Sequence, residues 1–330
     1  MKLSRLSELL EKNLQSCTIC PHRCGVNRIG GEKGFCLAGY RPTISAALPH
    51  HGEEPPISGS RGSGTIFFSY CNIRCVYCQN FQISQEFEGT EYSIAKLTKT
   101  MLGLESSGCH NINLVSPTIW IPRIIKALYD AREKGLLIPT VYNTGGYDSP
   151  EIIKMLEGKI DIYMPDMRYS DDEKAKKYSH IKEYTRYNRQ SVKEMYRQVG
   201  GLKLDKNGVA VRGLLIRLLV IPENIGGIKS TLDFIKNELS TDVYLSIMAQ
   251  YHPAYKASRY PELNRTITAK EYLDVVKYAE KKGFNYGWTQ DYLSLNDNED
   301  LFMPDFKDKK VFKYYNNKNK NTNNKTRQDE

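Results

Sequence analysis

The sequence lacks a long apolar run. Its longest, 214-LLIRLLVIP-222, is interrupted by Arg217 and is far too short to cross a bilayer. The first twenty residues also lack the apolar stretch of a secretory signal. These two absences argue against a membrane as partner and predict a cytoplasmic protein.

Cysteine is absent beyond Cys109, and a chain of 330 residues does not resemble the small secreted domains that depend on disulfides. Seven of the eight cysteines fall within the first eighty residues, at short spacing. They form a quartet and a triplet: Cys17, Cys20, Cys24 and Cys36, then Cys71, Cys75 and Cys78. Such grouping is typical of metal ligands. Cys109 stands alone and is interpreted as a small buried hydrophobic residue.

Aliphatic side chains are scarce from Lys307 onward, where eight Lys or Arg stand against three acidic residues and Asn is frequent. Such a segment buries too little apolar surface to fold. It also carries five of the nine net positive charges. We therefore predict a flexible basic tail at 301–330, and the net charge does not by itself indicate a nucleic-acid partner.

Short apolar runs alternate with helical patterns along the middle of the chain. Runs rich in β-branched and aromatic residues predict strands at 64–70, 111–116, 138–143, 160–166, 214–221 and 243–251. Helices are predicted at 94–105, 122–134, 150–157, 191–199, 227–239 and 269–282. Six βα units predict an α/β fold with a parallel sheet, either open and doubly wound or an incomplete barrel. Both architectures bind ligands at the carboxyl ends of the strands.

The cysteine triplet follows the first of these strands, so it falls at the ligand-binding end of the sheet. A structural zinc ion requires four ligands. A [4Fe–4S] cluster takes one cysteine for each iron, and a C-x3-C-x2-C array leaves one iron with open coordination. Nothing in the spacing directs Cys109 or His110 to complete either site.

The segment 71-CNIRCVYCQN-80, with Tyr77 directly before the third cysteine, resembles the cluster loop of radical S-adenosylmethionine (SAM) enzymes. The resemblance implies a partial (β/α)6 TIM-like barrel over residues 61–300. It also implies that Cys71, Cys75 and Cys78 hold a [4Fe–4S] cluster whose fourth iron binds SAM. Reduction then cleaves SAM to a 5′-deoxyadenosyl radical, which abstracts hydrogen from a substrate.

Three further stretches, 17-CTICPHRCGVNR-28, 53-EEPPISGSRGSGTIFFSYCN-72 and 142-YNTGGYD-148, are similar to PflX-type proteins, relatives of pyruvate formate-lyase activating enzyme. This likeness implies a protein or peptide substrate, with a backbone glycine of a glycyl radical enzyme as the expected target. It also implies an external electron donor such as flavodoxin or ferredoxin.

The resemblance assigns SAM contacts to residues at or near strand ends. They are Tyr77, Ser116, Thr118, Asp166, Arg168, Arg217 and His252. Each also has an ordinary structural interpretation. The segment 113-NLVSPT-118 reads equally as a β-to-α turn and lacks the usual glycine pair, Asp166 reads as a cap, and Arg217 reads as one half of a buried ion pair.

Residues 1–60 form a predicted N-terminal metal-binding extension. Its quartet suits either zinc or a second iron–sulfur cluster, and His22 lies within it as an alternative ligand. Two other functions stay open. A metal-stapled RNA-binding or RNA-modifying protein would use the basic tail and the 23 tyrosines. The second alternative is a zinc protein that has no catalytic activity.

Overall fold

The computed structural model describes residues 1–290, 304–308 and 311–312. The strands in this part of the chain are β1 Thr43–His50, β2 Ser63–Phe68, β3 Thr90–Glu91, β4 Ile112–Val115, β5 Thr140–Thr144, β6 Ile162–Pro165, β7 Lys203–Leu204, β8 Ala210–Leu219, β9 Tyr244–Met248 and β10 Gly287–Thr289. They join in the order β10-β9-β8-β6-β5-β4-β2-β1-β3, with β7 beside β8.

The helices of the same residues are α1 Leu3–Asn13, α2 Pro55–Ser58, α3 Phe81–Ser84, α4 Ile94–Ser106, α5 Ile121–Glu133, α6 Pro150–Met155, α7 Asp172–Ser179, α8 Tyr184–Val199, α9 Ile228–Glu238 and α10 Ala269–Lys282. Local chemistry sets several of their starts. Ser93 and Ser149 accept backbone N–H bonds at the beginnings of α4 and α6, and Thr268 forms a capping box with Glu271. None of these helices combines the length and apolarity needed to cross a bilayer.

All six predicted strands form, and they pair in parallel from β2 through β4, β5, β6 and β8 to β9. β10 extends the parallel sheet, whereas β1 lies antiparallel to β2 at the other side. One sheet face packs on helices over the main core. The other encloses a smaller apolar cluster that includes Val141, Ile162, Met164 and Leu215. The α/β fold with a mostly parallel sheet is confirmed, and the inner cluster fits a partial barrel.

The predicted extension 1–60 shares its core with the rest of the chain. Leu6, Leu10 and Ile19 belong to the same apolar cluster as Ile124 of α5. β1 and α2 add a strand to the sheet and an apolar side chain to the inner cluster. The sequence pattern changes near residue 60, but the apolar clusters contain residues from both sides of that position.

The predicted tail 301–330 lies largely outside the described residues. Its described part packs on the sheet. Phe306 is 8% exposed and joins Phe67, Ile83 and Val115 in an apolar cluster, with Phe312 against it. Gln82 Nε2 donates to Asp305 Oδ1 at 3.1 Å. Residues 304–308 and 311–312 therefore cover one side of the sheet close to α3.

Candidate active site

The cysteine triplet lies just beyond the carboxyl end of β2, as predicted. Its three thiols are free. The Ile73 N–H donates to Cys71 Sγ at 3.4 Å, and Cys78 Sγ lies 3.2 Å from Ser84 Oγ of α3. These two contacts hold the sulfur atoms of Cys71 and Cys78 in place, although the loop itself is not part of a long helix or strand.

Cys75 receives two hydrogen bonds from distant parts of the chain. Arg168 Nη1, after β6, and Ser179 Oγ, at the end of α7, both donate to Cys75 Sγ at 3.1 Å. Because the Ser179 proton points to sulfur, the Tyr169 hydroxyl donates to Ser179 at 2.7 Å, and Tyr77 donates to Tyr169 at 2.5 Å. This hydroxyl chain anchors Tyr77, a predicted SAM contact, in the interior. The two donors fix the position of the Cys75 sulfur.

Burial also acts on the other two thiols. It raises the pKa of Cys71 to about 12 and the pKa of Cys78 to about 11, and the neighbouring cysteines add to both shifts. Thiolates are the metal-binding form, so loading of this loop with metal must release protons.

Asp166, directly after β6, lies between two arginines. Arg168 donates to its Oδ2 from Nη2 at 2.6 Å, and Arg217 donates to its Oδ1 from Nε at 2.9 Å. Burial opposes ionisation of Asp166, but the two guanidinium groups outweigh it and lower its pKa. The structure thus brings three predicted SAM-contact residues together as one charged group, linked to Cys75 through Arg168.

Arg217 also faces a carboxylate that the sequence did not single out. Its Nη1 lies 3.8 Å from Glu53 Oε2, and the Glu53 side chain is 8% exposed. Arg217 lies on β8, and its side chain faces the acidic side chains of Asp166 and Glu53. Its contact with SAM stays a prediction.

Ser116 and Thr118 follow β4 but lie in different surroundings. Ser116 is half-buried and has a left-handed φ of 59°. Thr118 is buried, and its hydroxyl donates to Asp148 Oδ1 at 2.7 Å. Tyr142 and Thr144 donate to the same carboxylate at 2.8 Å each. Thr118 is therefore committed to an internal network, and Ser116 is the residue of the pair with an accessible side.

His252 lies in the loop after β9, which borders the cysteine loop. Gln79 Nε2 donates to the Gln250 carbonyl at 3.0 Å, and the Lys256 N–H donates to the Val76 carbonyl at 2.8 Å. His252 is half-buried between these contacts. The strand was predicted to reach residue 251 but ends at Met248, so His252 lies in the following loop, and its contact with SAM stays a prediction.

The four N-terminal cysteines line one cavity together with His22 and Phe35. Cys17, Cys20 and Cys36 are buried, and Cys24 is exposed. His22 is turned toward the triplet, because its Nε2 lies 2.9 Å from the Asn72 carbonyl and its ring stacks on Phe35. The quartet and the triplet are therefore neighbours, joined through the cysteine loop.

Within the described ranges, no three His, Cys, Asp or Glu side chains converge as ligands of one metal ion do. The thiolates of a cubane bind different iron atoms, so they need not meet at a single point.

The model of the radical SAM superfamily matches residues 65–235, more than half of the chain. The chain belongs to the radical SAM superfamily. It is 31% identical over 286 residues to the uncharacterized protein MJ0674 of Methanocaldococcus jannaschii, covering 83% of this chain and 77% of that protein. A second uncharacterized protein of the same organism, MJ0808, is 24% identical over 311 residues, covering 86% of each chain.

Solved structures of other proteins are more distantly similar to this radical SAM chain. The FeFe-hydrogenase maturase HydG from Carboxydothermus hydrogenoformans aligns with a TM-score of 0.44 and 11% identity, covering 71% of this chain and 54% of that one. Methylornithine synthase aligns with a TM-score of 0.43 and 12% identity, covering 85% and 69%. The chain spans about half the length of the HydG chains that it matches.

Membership of the radical SAM superfamily implies a [4Fe–4S] cluster and SAM as cofactors. The residues fit the cluster, because three free thiols stand at the strand ends and two donors fix the position of the Cys75 sulfur. Asp166, Arg168 and Arg217 form one charged group of both signs, and contact of this group with SAM stays a prediction.

Sequence reasoning missed Tyr169 and Ser179, which connect to Cys75, and Glu53, Glu54 and Asn113 beside Arg217. Ser179 lies at the end of a helix far along the chain, and no local pattern relates it to the cysteines. A signal did exist for the glutamates, because two adjacent acidic residues precede a Pro-Pro pair and then the first parallel strand.

Proposed function

We propose that this radical SAM enzyme cleaves SAM at a cluster that Cys71, Cys75 and Cys78 would hold. The resulting radical would abstract hydrogen from a protein or peptide. When bound, the cluster and SAM supply a 5′-deoxyadenosyl radical for hydrogen abstraction. The chain's own residues position the reaction. The thiols would hold the cluster, and Arg168 links Cys75 to Asp166 through its hydrogen bonds to both.

One observation carries this proposal. In a chain that matches the superfamily, the three thiols stand at the strand ends, and Cys75 accepts hydrogen bonds from Arg168 and Ser179. A purely structural cysteine does not require two buried donors on its sulfur.

The test is SAM cleavage. We expect protein reconstituted without oxygen to form 5′-deoxyadenosine from SAM and dithionite, measured by chromatography. Cys78→Ala should abolish the product, whereas Cys109→Ala, which removes a buried thiol elsewhere, should retain it. A wild-type protein with a full cluster and no product would contradict the proposal.

We further propose that the substrate is a backbone glycine of a glycyl radical enzyme, with an electron from a flavodoxin-type or ferredoxin-type donor. The three stretches similar to PflX-type activating proteins support this target. Incubation with a pyruvate formate-lyase should then give a glycyl radical signal in electron paramagnetic resonance. Formation of 5′-deoxyadenosine without any such signal would exclude this target.

A second metal centre at the quartet is part of the same proposal. Four free cysteines line one cavity, and Arg74 of the cysteine loop donates to the Phe35 carbonyl at 2.5 Å. Iron, sulfide and zinc should be counted per chain in the wild type and in a Cys71→Ala/Cys75→Ala/Cys78→Ala variant. Metal retained by the variant belongs to the quartet and is identified as zinc or iron–sulfur, whereas a variant free of metal contradicts a second centre.

A further inference from the structure

A polar layer lies inside the sheet, beneath the cysteine loop. Glu53 and Glu54 come directly before α2, whose Ile57 packs in the inner apolar cluster. Asn113 Nδ2 of β4 donates to Glu53 Oε1 at 2.8 Å, and Ser246 of β9 hydrogen-bonds to the Glu54 carboxyl. Side chains from opposite parts of the sheet therefore meet at these two acids.

Two acceptors in this layer are buried and have no hydrogen-bond partner among the residues that the structure describes. They are Asn113 Oδ1 and Glu54 Oε2. Asn113 is 0% exposed, and its amide N–H group is already directed to Glu53 and Thr65. A buried acceptor left without a donor is costly, so native interiors rarely keep one. Two unpartnered acceptors beside the same glutamate indicate that a donor belongs there.

The charges of the layer also indicate that a donor belongs there. Three carboxyl groups face two guanidinium groups, namely Glu53, Glu54 and Asp166 against Arg168 and Arg217. Asp166 engages both arginines through direct hydrogen bonds, whereas Glu53 reaches Arg217 only at 3.8 Å. Burial raises the pKa of Glu53 and of Glu54, and Arg217 offsets this only in part. A further positively charged donor beside Glu53 and Glu54 would favour the ionised form of both.

The layer also adjoins open space. The Arg217 side chain is 19% exposed although its strand lies inside the sheet, and the Arg168 side chain is 25% exposed. Solvent therefore reaches both arginine side chains, and Arg217 in turn lies beside Glu53.

We propose that Glu53, Glu54 and Asn113 form a subsite for a primary ammonium group of the substrate. An ammonium carries three N–H donors on a narrow stem, which matches the unpartnered acceptors and the Glu53 carboxylate. The apolar side chains of Ile57, Met164 and Leu215 suit the methylenes of such a stem. This inference rests on the proposed function and specifies the substrate as an amine, from either a lysine side chain or a small molecule.

Binding of n-butylammonium chloride to the full chain, purified without oxygen and without added SAM, tests the subsite. We expect a saturable rise in melting temperature and saturation-transfer signals from the butyl protons. Sodium, potassium and magnesium chloride at equal ionic strength, and tetramethylammonium, which has no N–H donor, should give neither. Equal effects of the metal salts or of tetramethylammonium would overturn the proposal, as would no binding by the wild type.

Variants locate the binding. Glu54→Gln keeps the shape and should weaken butylammonium binding by about tenfold or more, because a charge-assisted hydrogen bond is lost. Glu133→Gln, an exposed acid on α5, should bind like the wild type. Unchanged affinity in Glu54→Gln would place the ligand elsewhere and overturn the subsite. If Glu54→Gln does not fold, the wild-type comparison of cations still decides.

Two peptide probes distinguish the sources of the amine. Acetyl-lysine amide should bind, whereas the same compound acetylated on Nζ should not. Tighter binding of the lysine probe than of butylammonium identifies a peptide substrate, and the reverse order identifies a small amine. Binding of neither contradicts the subsite. This test requires no SAM cleavage, so its failure is distinct from failure of the proposed reaction.

Discussion

Among the three thiols of the loop, Cys75 is the one that distant residues hold most firmly. Its sulfur is reached from β6 through Arg168 and from α7 through Ser179. Hydrogen bonds to cluster sulfurs stabilise the more negative, reduced state and thus raise the reduction potential. The energy of the electron delivered to SAM is therefore set in part by two side chains outside the motif.

Ser179→Ala should lower the midpoint potential of the cluster. Loss of a hydrogen bond of about 1 kcal/mol corresponds to some tens of millivolts, on the order of 40 mV for one electron. Redox titration monitored by electron paramagnetic resonance measures the shift. Ser107→Ala, which removes a hydroxyl that donates to the Gly103 carbonyl at 2.8 Å at the end of α4, is the matched control. An unchanged potential in a fully loaded Ser179→Ala protein would show that this bond does not act on the cluster.

Gly146→Ala should destabilise the site. Gly146 has a φ of +78°, and an added Cβ would stand 2.1 Å from the Asp166 carbonyl and 2.3 Å from Asn188 Nδ2. Strain and overlap together should cost about 3 kcal/mol or more. Urea unfolding measures the loss.

Gly103→Ala, in α4 with nothing within 4 Å of the added Cβ, is the control. It should stabilise the protein by about 1 kcal/mol. Equal stability of the two variants would mean that the segment after β5 can move away from Asp166.

At the residue scale, sequence reasoning succeeded where chemistry was concentrated in a short segment. The triplet and the pair Asp166 and Arg168 follow strands directly, and strand ends can be read from apolar runs. Ser179 and Asn113 could not be found in this way. Their neighbours are created by tertiary packing, which a single sequence does not display.

Among the elements, β1 brings the N-terminal part of the chain into contact with residues 304–308 and 311–312. Its last residue, His50, is 7% exposed and lies between Phe67 of β2 and Phe312, with ring centroids 5.9 and 4.3 Å away. Burial lowers the pKa of His50 to about 4, with a smaller contribution from His51. Neutral His50 is thus part of the packing of residues 304–308 and 311–312.

Acid should loosen this packing. The unfolded pKa is near 6.5, so His50 contributes stability above that pH and loses it as the pH falls through about 4. The loss should reach about 3 kcal/mol relative to His50→Phe, measured by unfolding between pH 7 and pH 4. Amide exchange at Phe306 should rise over the same range. His180→Asn, an exposed position, should follow the wild type, and parallel pH curves for wild type and His50→Phe would contradict the assignment.

Helix and strand prediction failed where the local signal was weak or misleading. β1 contains Pro49 and small residues, so its pairing with β2 was not expected. The pattern at 191–199 captured only the second half of α8, because Tyr184 to Gln190 are mostly polar although Tyr184 and Asn188 are buried. α7 was indicated only by the acidic residues at its start.

For the whole molecule, Arg28 links the cysteine-rich start to the rest of the chain. Arg28 is 1% exposed and donates to the carbonyls of Gly39 and Ile119, and its guanidinium lies 5.0 Å from the Trp120 ring centroid. One side chain therefore satisfies backbone groups on both sides of the predicted boundary.

Arg28→Leu should lower the free energy of unfolding by about 3 kcal/mol, because buried carbonyls lose their donor. Tryptophan fluorescence and circular dichroism should report coincident unfolding transitions in wild type and variant. Arg5→Leu, exposed on α1, should change stability little. Two separate transitions in the wild type would instead indicate that residues 1–60 unfold as an independent unit.

The cover that Phe306 provides has a consequence for biosynthesis. Phe67 and Val115 leave the ribosome early, whereas the aromatic ring that shields them is translated near the far end of the printed sequence. A nascent chain thus exposes this apolar surface for most of its synthesis, next to a cysteine loop that would not yet hold its cluster. Chaperones and iron–sulfur assembly proteins would have that interval to reach the loop, before residues 304–308 and 311–312 pack beside it.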